Sequence, residues 1–251
     1  MRRFCVFLLM LVFAAPLGAA AQPASQAAFD EASGLHYSTE NQLTMYRSAD
    51  GEQPYVRLGF QEPVQLVADN GSWCEVSTES GATGHVECDA ISNVWIHVTK
   101  DEQRVDVYAG TERLRTYDAD LGYNAFADKK QRGSLSERDH WRTPEGEFHV
   151  VRKNPNSQYY KALVINYPTA EDAARGLEEG LISRAEHDAI VEANARNAKP
   201  PMNTKLGGWI EIHGDGTGRQ YNWTRGCVAL TNDEMDELWE WVDEGTPVYI
   251  E

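Results

Sequence analysis

His213 and Cys227 stand 14 positions apart, each against an apolar run. Trp209-Ile210-Glu211-Ile212 leads into His213-Gly214, and Thr224-Arg225-Gly226-Cys227 opens onto Val228-Ala229-Leu230. A thiol is a weak nucleophile until it loses its proton, and a nearby imidazole is the usual acceptor of that proton. Two strand-like runs that each end in a reactive group bring both groups to one edge of a sheet. The chemistry this pattern predicts is acyl transfer through a cysteine. An isolated free cysteine is more often a small buried hydrophobe. Cys227 differs in following Gly226 at a polar-to-apolar junction, and His213 sits where a strand gives way to Gly214-Asp215-Gly216. His36, His85, His97, His140, His149 and His187 have no such setting and read as structural.

Residues 1 to 21 have the layout of a secretory signal. Arg2 and Arg3 precede an apolar run to Ala15, and Ala19-Ala20-Ala21 form a small-residue cleavage site before Gln22. This predicts an exported, periplasmic protein that keeps Cys74, Cys88 and Cys227 and loses Cys5. An odd number of cysteines in an oxidising compartment implies one pair and one free thiol. Gly81, in the turn Glu79-Ser80-Gly81-Ala82, lies midway between Cys74 and Cys88. Antiparallel pairing about that turn would set the two cysteines opposite each other, and their disulfide would contribute roughly 3 kcal/mol. Cys227 is then the free thiol.

The 23 Lys and Arg against 39 Asp and Glu give a net charge of −16. The signal carries two arginines and no acids, so its removal takes the charge to −18. Such a chain repels nucleic-acid phosphates and anionic lipid, and no nucleic-acid partner is expected. The apolar run of the signal is too short for a membrane span, and no later stretch reaches the ~20 apolar residues a span needs.

The elements that must position the two reactive groups are mainly strands. Residues 22 to 36 read as a flexible leader. Residues 37 to 92 show short apolar runs at Leu43–Tyr46, Tyr55–Leu58, Val64–Val67, Trp73–Val76 and Gly84–Val86, separated by turn residues such as Asp69-Asn70-Gly71. This spacing predicts a small barrel. From residue 93, alternating runs at Val94–Val98 and Val105–Tyr108 predict a hairpin. Pro144 and Gly146 mark a turn into His149-Val150-Val151, and Leu163-Val164-Ile165 is another strand. Thr169 caps one predicted helix, and Ser183-Arg184-Ala185-Glu186 opens a second that ends before Pro200. This helical pair acts either as a lid on a substrate groove or as a cover over a sheet face. Thr231-Asn232-Asp233-Glu234 opens a third helix, with Met235, Leu238, Trp239 and Val242 on one face and an end near Gly245. Val248-Tyr249-Ile250 closes the chain as a strand.

His213-Gly214, Thr224-x-Gly226-Cys227 and Thr143-Pro144-x-Gly146-x-Phe148 together resemble the YkuD-type L,D-transpeptidase catalytic domain, over residues 93 to 251. The resemblance implies a mainly β (α+β) fold: a β-sandwich with an inserted helical pair and a C-terminal helix. The "Asn-Gly-Ser-Trp" and "Gly-His-Val" pieces of residues 37 to 92 resemble bacterial SH3-like barrels, modules that dock exported enzymes on cell wall.

Carried over position by position, the resemblance makes Cys227 the nucleophile and His213 the proton acceptor and later donor. The Gly214 carbonyl would orient the ring. The substrate would be a peptidoglycan stem peptide, cut after the L-centre of diaminopimelate. Backbone N–H groups at Gly226 and Cys227 are candidates for an oxyanion hole, where one donor is commonly worth ~3 kcal/mol of barrier. Ala229 stands where many relatives carry Arg or Asn. "Gly-Cys-Val-Ala-Leu-Thr-Asn" resembles the YafK-like branch, some of whose members cut links between wall and lipoprotein. Arg225, Arg219 and Arg142 are the candidate replacements for binding a substrate carboxylate.

The outcome is therefore transpeptidation, hydrolysis of stem-peptide or wall-lipoprotein links, or an inactive wall-binding scaffold. No metal or other cofactor is expected: the chain has no His-Glu-x-x-His and no Cys-x-x-Cys.

Overall fold

The computed structural model describes residues 34–251. The signal at residues 1 to 21 and the leader up to residue 33 lie outside the described residues. The first sheet contains β1 (Leu35–Ser38), β2 (Leu43–Tyr46), β3 (Pro54–Leu58), β4 (Pro63–Asp69), β5 (Trp73–Thr78), β6 (Thr83–Glu87) and β7 (Ile91–Ser92). Their order is β3-β2-β6-β5-β4-β1-β7. Alternation decides the inner face: Leu43 and Met45 of β2 and Cys74 and Val76 of β5 are buried, with half-buried residues between them. β1 starts two residues inside the stretch expected to be leader.

Cys74 and Cys88 are joined by a disulfide, with Cα atoms 5.0 Å apart. They are not opposite each other, as the turn had suggested. Cys74 pairs with Val86 and Trp73 with Glu87, which centres the hairpin on Ser80 rather than Gly81. Cys88 lies just beyond β6, where its N–H donates to Ser72 O at 3.0 Å. The bridge therefore runs diagonally across the hairpin end.

The second sheet holds β8 (Val94–Thr99), β9 (Arg104–Ala109), β10 (Glu112–Asp118), β11 (Gly146–Ser157), β12 (Tyr160–Ile165), β13 (Glu211–His213), β14 (Val228–Ala229) and β15 (Pro247–Ile250). Their order is β10-β9-β8-β15-β11-β12-β13-β14. β11 is twelve residues long and changes partner midway: Gly146 to His149 pair with β15, and Val150 to Ser157 with β12. β10 escaped the sequence reading because it is an edge strand of mostly exposed, polar residues with only Tyr117 buried.

Helices α1 (Ala170–Glu178) and α2 (Arg184–Ala195) lie between β12 and β13, and α3 (Asn232–Trp241) follows β14. All three open with a capping box, from Thr169, Ser183 and Thr231, satisfying N–H groups that would otherwise lack partners. α3 packs Met235 and Leu238 into a core with Ile96, Val107, Phe148, Leu163, Ile212, Val228 and Val248. It stops before Gly245, because the backbone turns extended at Val242, which is buried all the same. The architecture is thus mostly β, two sheets with three helices. The sheets touch where Tyr37 donates to Val94 O at 2.6 Å and Gln61 to Gly245 O at 2.9 Å. Among the described residues no helix is long and apolar enough to cross a membrane.

Candidate active site

β13 and β14 pair in parallel, Ile212 with Val228 and His213 with Ala229. Ile212 and Val228 point into the core. Because side chains alternate along a strand, Glu211 and His213 share the other face, and Cys227, one position before β14, shares it with them. Cys227 thus opens its run, whereas His213 ends one. The two reactive residues sit on adjacent strands about two residues apart in register, roughly 7 Å along the strand direction and about 5 Å across.

That face forms the floor of a cleft of about 750 Å³, lined among others by Lys129, Trp141, Tyr159, Trp209, Glu211, His213, Trp223, Arg225 and Cys227. α1 and α2 do not line it. Ala173 of α1, Ile190 of α2 and Ile182 of the turn between them pack around Leu206 and so hold the segment that leads to Gly207, Gly208 and Trp209, one wall of the cleft. The helical pair contributes no lining residue, as a lid would, and its apolar cluster holds the Leu206 segment rather than a sheet face.

His213 is buried, stacked against Tyr159 at 4.5 Å between ring centres, with Trp223 edge-on at 6.3 Å. Its Nδ1 lies 2.6 Å from the Gly214 carbonyl oxygen. A carbonyl only accepts, so Nδ1 carries the proton and Nε2 is left as a base. Burial holds the imidazole below its ordinary pKa, against the opposing Gly214 hydrogen bond and the acids Asp215 and Asp120.

Cys227 is free and half-buried, and its thiol donates to Trp209 O at 3.5 Å. Burial pushes the thiol up to about 12; the Glu211 carboxylate adds to the rise, while a hydrogen bond with the Glu211 backbone and the charge of Lys129 oppose it. The resting pair is therefore a neutral thiol and a neutral imidazole, not a preformed thiolate. Proton transfer then belongs to the step in which sulfur attacks.

Gly226 has φ +126°, and a Cβ there would lie 2.4 Å from Arg142 O, so a side chain is excluded both by conformation and by space. Its N–H already donates to Thr224 Oγ1 at 3.2 Å, and the same hydroxyl donates to Cys227 O at 2.7 Å. Among the described residues the Cys227 N–H has no such partner and is free to donate to an incoming group. Thr143, Pro144 and Phe148 are buried, and none of them lines the cleft. Thr143 Oγ1 accepts from Gly122 N at 3.0 Å, fixing the strand end that faces Thr224.

The three arginines are dispersed. Arg225 lines the cleft, its guanidinium 5.2 Å from the Trp141 ring centre. Arg142 contributes its backbone against Gly226, but its guanidinium is committed to the Asp139 carboxylate and to the carbonyls of Asp139 and Asp128. Arg219 lies on the glycine loop, exposed and outside the cleft lining.

Three residues of the site had no signal in the spacing of motifs. Asp120 is 1% exposed, and its carboxylate accepts from Thr217 N (2.7 Å), Thr217 Oγ1 (2.8 Å), Tyr221 N (2.9 Å) and Trp223 Nε1 (2.8 Å). Burial by itself would raise this carboxyl, but those donors bring it below its ordinary value. An acid between Ala119 and Leu121 was the available clue. Lys129 and Glu211 are the other two; both look like solvated charges in sequence, and only the fold carries them to the cleft. The grouping Asp69, Cys74 and Cys88 has ligand-like proximity, but its two sulfurs are bonded to each other.

The fold is a mainly β domain that carries a free cysteine and a singly oriented histidine on neighbouring strands, facing one cleft. The family model for the L,D-transpeptidase catalytic domain, YkuD, matches residues 93–250, and the chain belongs to that family. It is similar to YafK of Escherichia coli strain K12, 27% identical over 154 residues that make up 60% of this chain and 48% of YafK. The chain thus spans about half the length of the curated relatives it matches. Similar solved structures include the helical cell shape determining protein Pgp2 from Campylobacter jejuni, with a TM-score of 0.43, 23% identity, and 64% of this chain and 47% of that one covered. An L,D-transpeptidase from Mycobacterium smegmatis aligns with a TM-score of 0.38 and 15% identity, over 92% and 88% of the two chains.

Proposed function

We propose that this protein is an exported enzyme of the bacterial cell wall that performs cysteine acyl transfer on peptidoglycan stem peptides at diaminopimelate. The observation that carries the reading is the parallel pairing of β13 with β14, which faces His213 and Cys227 into one cleft with Nε2 of the imidazole unprotonated. The thiol turns from Trp209 O toward the ring, and Nε2 takes its proton as Sγ bonds to the carbonyl carbon after the L-centre of diaminopimelate. The carbonyl oxygen becomes an oxyanion facing the Cys227 N–H. His213 then gives the proton to the departing D-alanine amine, leaving a thioester. An amine of a second stem peptide closes a cross-link, or water releases the acid.

The hydrolytic outcome, on stem peptides or on a link between wall and lipoprotein, has one observation in its favour. Ala229 is 1% exposed and bonded through its backbone to Asp120, so position 229 offers no arm to hold an acceptor. Residues 37 to 92 fit the part of an SH3-like wall-docking domain and 93 to 251 the catalytic one, with residues 1 to 21 directing export.

The test is mass spectrometry of muropeptides after incubation with wild type and with Cys227→Ala. New links between two diaminopimelate residues, absent with the variant, mean transpeptidase. Shortened stems or freed lipoprotein mean hydrolase. Unchanged muropeptides, with no thioester adduct on Cys227, would overturn the enzymatic reading in favour of a wall-binding scaffold.

A further inference from the structure

A cation and an anion share the cleft with Cys227, and neither has an ionic partner among the described residues. Lys129 is 3% exposed, yet its ammonium makes one hydrogen bond, to His140 O at 3.3 Å, leaving two of its three donors without a protein acceptor. Glu211 stands beside Cys227 on the floor of the cleft, and among the described residues its carboxylate takes no hydrogen bond and no ion pair, Arg152 acting on it only through its charge. The other cations of the cleft are otherwise engaged: Arg132 donates to Thr204 O at 3.2 Å and Met202 O at 2.8 Å, and Arg225 lies over Trp141.

We propose that Lys129 and Glu211 together read a zwitterionic amino-acid end of the substrate, Lys129 pairing with its carboxylate and Glu211 with its ammonium. Leaving a charge buried without a partner is costly, and an incoming group that supplies both counter-ions relieves two such charges at once. The zwitterion is itself neutral, so it brings no net charge into the enclosed site. The electrostatics agree: burial brings Lys129 down to about 8, outweighing Cys227 and Asp128, and raises the Glu211 carboxyl, outweighing the charge of Arg152. The inference rests on the stem-peptide reading for its substrate, because the side chain of diaminopimelate ends in one carbon bearing both an ammonium and a carboxylate. A lysine in the same place has only the ammonium.

The test is calorimetric titration of the Cys227→Ala protein, which binds without turnover. The ligands are a stem tetrapeptide with meso-diaminopimelate and two analogues, one with lysine and one with 2-aminopimelate at that position. The first analogue lacks the side-chain carboxylate and the second the side-chain ammonium. Each loss is expected to weaken binding roughly tenfold or more, the range of a hydrogen bond to a charged group. Added Lys129→Met should erase the difference between the parent peptide and the lysine analogue. Added Glu211→Gln should erase the difference between the parent and the aminopimelate analogue. Equal binding of all three peptides, equal weakening of all three in both variants, or no binding of any would overturn the proposal. Turnover by wild type is read separately. Turnover without discrimination removes this pairing and keeps acyl transfer; discrimination without turnover keeps the pairing and removes acyl transfer.

Discussion

Asp120 and Ala229 exchange both of their backbone hydrogen bonds, at 2.9 and 2.8 Å. The short strand that follows Cys227 is thereby gripped on one side by β13 and on the other by Asp120. The Asp120 carboxylate in turn holds the loop that follows His213. One buried acid thus couples the segment carrying the thiol to the segment carrying the imidazole.

Asp120→Ala should therefore cost stability and catalysis together. Four donors lose their acceptor, and stranding buried groups in this way costs about 1–3 kcal/mol each before relaxation; urea melts should show a loss of at least roughly 2 kcal/mol. The folded pKa is depressed, so the stability contribution is full above the ordinary carboxylate range and is lost as pH falls through the lower, folded value. The gap between wild type and Asp120→Asn should accordingly narrow on acidification toward pH 3. A gap that is constant with pH would mean the carboxylate charge contributes nothing.

The neutral state of the Cys227–His213 pair fixes a pH profile for alkylation of Cys227 by iodoacetamide. With the thiol near 12, the substrate-free rate should climb through pH 9 without levelling, and Lys129→Met should slow it further below about pH 8, where Lys129 is still a cation that favours the thiolate. A plateau near neutral pH would show a preformed thiolate–imidazolium pair instead. His213→Gln removes the base and should lower kcat by about 10²–10⁴, while the acid limb of kcat/KM in the wild type should lie below the ordinary histidine value.

Gly226→Ala combines an unfavourable φ with a Cβ 2.4 Å from Arg142 O. Backbone strain of this kind is worth about 1–3 kcal/mol before the clash is added. Thermal melts should show marked destabilisation, and activity should fall even at temperatures where the variant is folded. Retention of both wild-type stability and activity is the outcome that contradicts the geometry.

Replacing Cys74 and Cys88 together by alanine opens a loop with a sequence separation of 14 and should cost roughly 3 kcal/mol. The loss belongs to the first sheet, so hydrogen exchange should accelerate at Met45, Val76 and Val86 and stay slow at Ile96 and Leu163. Acceleration throughout the chain would mean that the two sheets unfold as one unit.

Much of this molecule was legible from local rules, because capping boxes, alternation and turn residues act over a few positions. Leu43–Tyr46, Val94–Val98, Ser183-x-x-Glu186 and Thr231-x-x-Glu234 needed no tertiary information. The one-residue offset of the β5–β6 hairpin and the edge strand β10 were not legible, since register depends on packing across the sheet and an edge strand has little apolar face to display. The sequence by itself determined that a glycine precedes Cys227 and that a histidine ends an apolar run 14 positions earlier, and, with residues 1 to 21 read as a removed signal, it pointed to one unpaired thiol; residue type and chain order suffice for these. Only the tertiary structure decided that the two strands run parallel, that burial leaves the pair uncharged, and that Asp120, Lys129 and Glu211 gather around it. Those properties depend on solvent exclusion and on contacts between residues as far as about a hundred positions apart, which no local pattern encodes.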